Sequence, residues 1–193
     1  MKNNTKIINL FGSSGAGKST IAAGVFHLMK LNGFSVEIVT EFAKECVYEC
    51  PETLKDQFYV TAMQTRRINK LLGKVDFIVS DSPILLGEVY KSNKSFLKED
   101  FYIDLFNQYN NINYILNRRF PYIQYGRVHT ELEALENDKK IRRILNKNGI
   151  NYREIESDAN AHNVIFNLIN KEFYNKKINF LSSWGKDKTK ERF

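Results

Sequence analysis

The sequence is poor in the residues that mark several classes of protein. Its 193 residues include only 2 cysteines, 3 prolines and 10 glycines, which excludes a disulfide scaffold, a collagen-like chain and a Gly/Pro-rich linker. No run approaches the roughly 20 consecutive apolar residues that a membrane-spanning helix needs. The first apolar run, 7–11, is too short for a secretory signal. These absences predict a soluble cytoplasmic domain.

The chain does contain the material for a hydrophobic core. Hydrophobic residues make up 42% and aromatic residues 13% of the sequence, which excludes a disordered chain. The length fits one domain, and neither an internal repeat nor a linker divides it. We therefore predict a single domain over residues 1–175, followed by a basic tail over 176–193.

The charge balance is basic. Lysine and arginine number 29 against 22 aspartates and glutamates, a formal net charge of +7, which favours anionic partners such as nucleotides, nucleic acid or acidic lipid. Part of the surplus lies in the tail, at Lys186, Lys188, Lys190 and Arg192, so solubility alone is an alternative explanation. Cys46 and Cys50 lie four residues apart with no further ligand to complete a metal site, and we expect buried free thiols.

Short apolar runs alternate with helical periodicities along the chain. The pattern predicts strands at 6–11, 35–40, 76–81, 112–116 and 150–155, and helices at 19–30, 41–49, 53–72, 97–109, 131–146 and 159–175. Such alternation is typical of an α/β fold with a parallel sheet covered by helices on both faces. Ligands of these sheets bind outside the carboxyl ends of the strands, so the candidate site residues are those that follow each strand.

The first strand leads into a complete phosphate-binding loop, G-x-x-x-x-G-K-[ST]. The residues that we expect to hold a nucleotide are Gly12, Ser13, Ser14, Gly15, Ala16, Gly17, Lys18, Ser19 and Thr20. Glycines let successive N–H groups point into one concavity, and the following helix adds the positive end of its dipole. Lys18 supplies a charge for the phosphates and Ser19 a hydroxyl for Mg²⁺. The motif predicts binding of ATP with Mg²⁺.

Acidic residues follow the second and third strands. Glu41 is placed to accept the proton of a substrate hydroxyl or to anchor the substrate; a favourable helix N-terminal acid is the alternative. Asp81 ends an apolar strand, as expected of a second Mg²⁺ contact beside Ser19, although it could also be only a turn residue.

Arginines follow the fourth strand. Arg118, Arg119 and Arg127 lie in an aromatic segment over about 118–130, which we call the lid segment. Arginines that reach over a transferring phosphoryl group stabilise its charge, and a segment of this length can close a site. A solvated basic loop is the alternative, and spacing alone does not decide which arginine points inward. Arg142 and Arg143 are weaker candidates.

Together these motifs resemble the small P-loop kinases of nucleosides and nucleotides, and most of all the nicotinamide riboside kinase-like group of P-loop kinase/ATPase domains, often met in phage genomes. Segments 12–19, 40–45, 80–83 and 118–127 carry the resemblance, which spans about residues 5–170. It implies a five-stranded sheet of order 2-3-1-4-5 and transfer from Mg·ATP to a small hydroxyl or phosphate acceptor.

By the same resemblance, Lys18 and Ser19 would hold phosphates and metal, Asp81 the water shell of the metal, and Glu41 the acceptor hydroxyl. Many relatives have an arginine next to the acid that follows the third strand, where this chain has Ser82 and Pro83. That departure favours a neutral nucleoside-like hydroxyl, or a base displayed on a polymer, over a phosphorylated acceptor.

Three functions are consistent with the sequence. The first is a kinase of a nucleoside- or nucleotide-like small molecule. The second is a kinase that acts on a hydroxymethylated base in phage DNA, which the basic charge favours. The third is an ATPase or regulatory nucleotide-binding module without an acceptor. We expect no membrane partner, and the sequence is silent on oligomeric state.

Overall fold

The structure is a computed structural model, and it describes residues 4–91, 98–123 and 130–173. Its strands are β1 (Lys6–Phe11), β2 (Val36–Val39), β3 (Phe77–Ser80), β4 (Asn110–Arg118) and β5 (Arg153–Ser157). Its helices are α1 (Lys18–Leu31), α2 (Phe42–Glu49), α3 (Gln57–Asn69), α4 (Leu86–Tyr90), α5 (Glu99–Asn107), α6 (Glu131–Lys147) and α7 (Ala161–Phe173).

The five strands form one parallel sheet in the order β2-β3-β1-β4-β5. This confirms the predicted fold class and strand order. At the centre, Asn9 of β1 is in register with Ser80 of β3 and Asn113 of β4. Its side-chain amide donates to Asn111 Oδ1 at 2.9 Å and to Asn113 Oδ1 at 3.0 Å, so these asparagines of β1 and β4 satisfy one another.

Helices cover both faces of the sheet, as the alternation of side chains along a strand requires. On one face, Ile8 and Leu10 of β1 pack in a cluster with α1 and α7. On the other face, Phe11 packs with α4, α5 and α6, and Ile7 packs with Ile68 of α3. Because both faces are buried, the carboxyl ends of the strands form the edge at which a site can open.

The region between β2 and β3 differs from the prediction. We expected one helix over 53–72, but the chain forms a 3-10 turn at Pro51–Lys55 and then α3. Asp56 separates the two because its carboxylate caps α3, accepting a hydrogen bond from the Tyr59 N–H at 3.0 Å. The short helix α4 was not predicted, since five residues are too few to show a periodicity.

The last two strands also shift relative to the prediction. β4 is longer than 112–116 because Asn110 and Asn111 pair with the start of β1. β5 begins later than expected and ends at Ser157, opposite Arg118. Of the two cysteines, Cys46 is buried but Cys50 is exposed, so the expectation of a buried thiol is wrong for Cys50. None of the described helices has the length and apolarity needed to cross a membrane.

Candidate active site

A cavity of about 510 Å³ opens at the carboxyl ends of β1, β2 and β3. One end of its wall is the phosphate-binding loop and the first turn of α1. The rest of the wall comes from Glu41 and α2, from α3, and from the chain that follows β3 into α4. The sheet topology therefore brings the segments after three strands to one space, as expected for a parallel sheet.

The lysine of the phosphate-binding motif forms hydrogen bonds with the backbone of the loop. Lys18 Nζ donates hydrogen bonds to the Gly12 carbonyl at 2.8 Å and to the Ser13 carbonyl at 3.0 Å. α1 begins at Lys18, and Ser14 to Thr20 all line the cavity. The first turn of α1 therefore presents its N–H groups at the site, where the helix dipole favours an anion.

Two glycines of the loop have positive φ angles and lie close to other parts of the chain. Gly15 has a φ of +84°, and a Cβ there would lie 3.1 Å from Cδ2 of Tyr122. Gly17 has a φ of +80°, and a Cβ there would lie 2.8 Å from Oγ of Ser157. That hydroxyl donates to the Ala16 carbonyl at 2.6 Å. The end of β5 thus supports the loop, a role that the sequence pattern did not indicate.

A carboxylate of α6 also holds the loop. Asp138 accepts a hydrogen bond from the Ser13 N–H at 2.7 Å through Oδ1 and one from the Ser13 hydroxyl at 2.9 Å through Oδ2. Ser13 is fully buried. Sequence reasoning missed Asp138 because it lies mid-helix, 125 residues from its partner, and no local motif marks it.

Glu41 lies at the N-terminus of α2 and lines the cavity, as predicted from its place after the second strand. Two residues of α3 fix the segment around it. Gln64 is buried, and its Oε1 accepts a hydrogen bond from the Phe42 N–H at 2.9 Å. Arg67 donates to the Thr40 carbonyl at 3.3 Å, pairs with Glu45 and lies 5.0 Å from the centre of the Phe42 ring.

The Arg67 contact also affects Glu45 itself. The hydrogen bond from the guanidinium lowers the pKa of the Glu45 carboxyl below its usual value, so this acid stays ionised and paired. Glu45 is therefore an anchor of α2, whereas Glu41, one turn earlier, faces the cavity. The spacing of Gln64 and Arg67, three residues apart on one helix face, could have indicated a shared partner but not which one.

Asp81 follows β3 and is 2% exposed. Its Oδ1 is fully buried and has no hydrogen-bond partner in the described part of the protein. The cavity wall at this point is formed by Ser82, Pro83 and Ile84, and Asp81 is not part of it. A buried carboxylate oxygen without a donor is costly, and a hydrated cation would supply one. This fits the predicted contact with the water shell of a metal.

Arg118 ends β4 and turns back over the phosphate-binding loop. Its side chain is 9% exposed, and its guanidinium lies 5.1 Å from the centre of the Tyr122 ring and 3.6 Å from a Glu131 carboxylate oxygen. Its Nη1 is buried without a hydrogen-bond partner among the residues that the structure describes, and it would lie 3.7 Å from a Cβ at Gly15. Arg118 and Tyr122 therefore cover the loop at Gly15.

The other predicted arginines have different positions. Arg119 is 65% exposed and pairs with Glu156 of β5. Arg142 is held between Asn117 and Glu154, and Arg143 is exposed. Arg127 and most of the second half of the lid segment lie outside the described residues, as does the tail over 176–193. Among the arginines whose placement is described, Arg118 is the one at the loop.

The half of the cavity away from the loop is mostly uncharged. Its wall combines apolar and amide side chains with an exposed tyrosine, and the main contributors are Val47, Tyr48, Leu54, Gln57, Val60, Thr61, Gln64, Ile84, Leu86 and Tyr90. Among the described residues that line the cavity, Lys44 at the rim is the only cation besides Lys18. This half has the composition of a site for a small molecule with both apolar and hydrogen-bonding parts.

Tyr90, the last residue of α4, also lines the cavity. Burial raises the pKa of its phenol above the usual value, and the negative charges of Glu41 and Asp138 raise the pKa further. The phenol therefore stays protonated at neutral pH and acts as a hydrogen-bonding group rather than as a charge.

The residues present fit a nucleotide and a magnesium ion, judged by the polar atoms that lack partners. Within the described residues, Arg118 Nη1 and Asp81 Oδ1 are both buried without hydrogen-bond partners. No group of three or more potential metal-ligating side chains occurs within residues 4–91, 98–123 and 130–173. That is expected where a Mg²⁺ ion keeps waters and takes its other oxygens from substrate phosphates.

Comparison with known proteins gives a structural likeness and no sequence match. No protein-family model matches the chain, and no curated protein matches it. Among solved structures, the chain is similar to the crystal structure of thymidylate kinase from Ehrlichia chaffeensis, with a TM-score of 0.61 and 15% sequence identity. The match covers 86% of this chain and 98% of that one. At this identity the likeness shows the fold alone, a five-stranded parallel sheet with helices on both faces.

Proposed function

We propose that the protein is an ATP- and Mg²⁺-dependent phosphotransferase that moves the γ-phosphate of ATP to a hydroxyl of a nucleoside- or nucleotide-like acceptor. One observation carries the proposal: a single cavity is lined by the phosphate-binding loop at one end and by Glu41 and an acceptor-sized, mostly uncharged wall at the other. A kinase needs donor and acceptor in one space, because positioning supplies much of its rate enhancement.

The donor half binds phosphates with groups of three kinds. The loop and the first turn of α1 supply N–H groups, Lys18 supplies a mobile positive charge, and Arg118 adds a second cation from above the loop. Ser19 and Asp81 would hold the metal, Ser19 through its hydroxyl and Asp81 through water. Mg²⁺, when bound, neutralises the charge that develops on the phosphate oxygens.

Glu41 is the proposed proton acceptor. In the transfer, the acceptor oxygen forms a bond to the γ-phosphorus while the bond from that phosphorus to the β,γ-bridging oxygen breaks, and ADP leaves. The proton of the attacking hydroxyl passes to the Glu41 carboxylate. Gln64 and Arg67 support this role because they fix the backbone on either side of Glu41.

The wall supports an acceptor without a phosphate of its own. A phosphate group needs cations or several N–H donors where it leaves water. The acceptor half offers Lys44 at the exposed rim and, in its described part, no arginine. The similar solved structure is that of a thymidylate kinase, an enzyme of nucleotides, whereas the wall here favours a nucleoside. A base displayed on DNA is the second candidate, and the net charge of +7 favours it.

The test is a transfer assay with γ-labelled ATP and Mg²⁺, offered nucleosides, their monophosphates, and plain and hydroxymethylated DNA, with water as the control. We expect label on a nucleoside, with a lower kcat/KM for the corresponding monophosphate. Lys18→Ala should abolish transfer. Glu41→Gln should lower kcat by about 10²- to 10⁴-fold, as for removal of a general base.

The matched control for Glu41 is Glu49→Gln, which removes the same charge from the exposed end of the same helix and should leave transfer unchanged. Label found only in free phosphate, insensitive to Glu41→Gln, would overturn the kinase proposal in favour of an ATPase. Full transfer by Lys18→Ala would overturn the site assignment altogether.

A further inference from the structure

The contact between Asp138 and Ser13 joins two distant parts of the chain. Both carboxylate oxygens of Asp138 are used, one by the backbone N–H and the other by the hydroxyl of the same residue, at 2.7 and 2.9 Å. Hydrogen bonds to an ionised acceptor are stronger than neutral ones, and two parallel bonds also fix orientation. Ser13 is therefore held in one position relative to α6.

The chain of hydrogen bonds continues from Ser13 to Lys18. The carbonyl of Ser13 and that of Gly12 accept the two hydrogen bonds of the Lys18 ammonium, at 3.0 and 2.8 Å. A shift of Ser13 would therefore displace both the loop and the lysine. Asp138 touches none of the reacting groups through these bonds and acts on Lys18 by way of Ser13.

The helix that contains Asp138, α6, is capped at its N-terminus and packs against the core. α6 begins directly after Thr130, whose side chain and Glu133 form a capping box. Ala134, Ile141 and Leu145 of the same helix are buried against the core, so the helix cannot yield easily. The lid segment runs from Arg118 to Thr130 and thus ends at the helix that carries Asp138.

We propose that Asp138 is a positioning residue that fixes the phosphate-binding loop, and with it Lys18, in the conformation that binds a nucleoside triphosphate. A lone carboxylate so close to a triphosphate would repel it. Here both carboxylate oxygens accept hydrogen bonds from Ser13, and the Lys18 ammonium lies on the other side of the same residue. We expect the affinity for nucleotide gained from a fixed loop to outweigh the repulsion between the Asp138 carboxylate and the triphosphate. This inference deepens the proposed function, but it concerns nucleotide binding and needs no acceptor.

The experiment compares Asp138→Asn with Asp138→Ala in the full-length chain. Asparagine can accept from the Ser13 N–H and donate to the Ser13 hydroxyl oxygen, so it keeps both bonds without the charge, whereas alanine removes both. The readouts are the Kd for the Mg²⁺ complex of a non-hydrolysable ATP analogue, by calorimetry, and hydrogen exchange of the amides over 12–18. Glu136→Ala, an exposed acid of the same helix, is the control.

We expect Asp138→Ala to weaken nucleotide binding at least tenfold and to speed amide exchange in the loop. Asp138→Asn should stay within threefold of the original protein, and Glu136→Ala should match it. Unchanged or tighter binding by Asp138→Ala would overturn the proposal. So would an Asp138→Asn variant as defective as Asp138→Ala, because the charge rather than the position would then be what matters.

Ser13→Ala keeps the test decisive if Asp138→Ala does not fold. It removes the hydroxyl bond and leaves the N–H bond, so we expect a smaller loss of affinity and an intermediate rate of amide exchange; no change in either would overturn the proposal. If the unaltered protein transfers phosphate to no acceptor but the Asp138 series behaves as described, the proposed kinase function fails and the positioning role stands.

Discussion

At the scale of single residues, Asp81 combines a proposed place in the metal site with an unfavourable environment. Its carboxylate is buried directly after β3, and Oδ1 lacks a donor in the described part of the chain. Burying a carboxylate oxygen without a partner opposes folding. Residues of this kind persist where function needs them, and their replacement often stabilises the protein at the expense of activity.

We therefore predict opposite effects of Asp81→Asn on stability and on activity. Without nucleotide or Mg²⁺, the free energy of unfolding should stay the same or rise by about 1 kcal/mol, as measured by urea denaturation. Mg²⁺-dependent transfer should fall by about 10- to 100-fold, as for the loss of a group that contacts a metal through its water shell.

The control for Asp81 is Asp76→Asn, which removes the same charge just before the opposite end of β3, where the residue is exposed. It should leave the Mg²⁺ dependence of transfer unchanged. A marked loss of stability in Asp81→Asn would contradict the idea that its carboxylate is held at a cost, and unaltered Mg²⁺ dependence would remove Asp81 from the metal site.

The site residues that could be predicted from the sequence are those that follow the end of a predicted strand. Lys18 and Glu41 lie where a strand ends, and strand ends of a parallel sheet share one edge, so their convergence on one cavity was predictable. Asp138 and Ser157 reach the loop from α6 and β5. Their contacts depend on how those elements pack, and neither residue stands in a local pattern that would indicate it.

At the scale of elements, α1 and α7 approach each other closely at Gly24 of α1. A Cβ at this position would lie 2.7 Å from Cγ and 2.8 Å from Cβ of His162 in α7. These atoms are near the backbone of α7, so they cannot move without moving the helix. The absence of a side chain at Gly24 therefore sets the distance between the two helices that cover one face of the sheet.

We predict that the effect of Gly24→Ala changes sign with residue 162. In the original protein the added methyl group should lower the free energy of unfolding by about 1–3 kcal/mol through overpacking. In the His162→Gly background the Cβ and Cγ atoms of residue 162 are both absent. The clash is then gone, and alanine at position 24 should stabilise α1 by up to about 1 kcal/mol over glycine. Urea denaturation of the four proteins measures the coupling. The same effect in both backgrounds would show that the two residues do not meet.

Element boundaries show where local signals compete. The apolar period over 53–72 is continuous, yet Asp56 caps a new helix inside it, because a side chain that satisfies a free N–H can start a helix anywhere along such a run. β4 extends beyond its apolar core through Asn110 and Asn111, which pair with β1. This pairing depends on the neighbouring strand, so the hydrophobic pattern of the sequence does not indicate it.

At the scale of the whole molecule, the strand order follows from few facts. Parallel strands connected by helices require right-handed crossovers. The resemblance to small P-loop kinases, carried in part by the phosphate-binding loop, implies that β1 lies at the centre of the sheet. The observed order confirms it. The identity of the proposed acceptor depends on the cavity wall, which α2, α3 and α4 form together. The sequence restricts that acceptor only through the missing arginine beside Asp81.

The net charge of +7 gives the last prediction, because it is the observation that favours DNA as the acceptor. Binding to duplex DNA through phosphate contacts weakens as salt rises, with a slope of about −0.9 in log K against log[salt] for each contact. Transfer to an uncharged nucleoside has no such dependence.

For a nucleoside kinase we expect kcat/KM to vary little between low and physiological salt. It should also be unchanged when Lys186, Lys188, Lys190 and Arg192 are all replaced by glutamine. Label that appears on hydroxymethylated DNA, falls steeply with salt and is lost with those four charges would instead make DNA the acceptor, because a small uncharged substrate has no phosphates for a basic tail to hold.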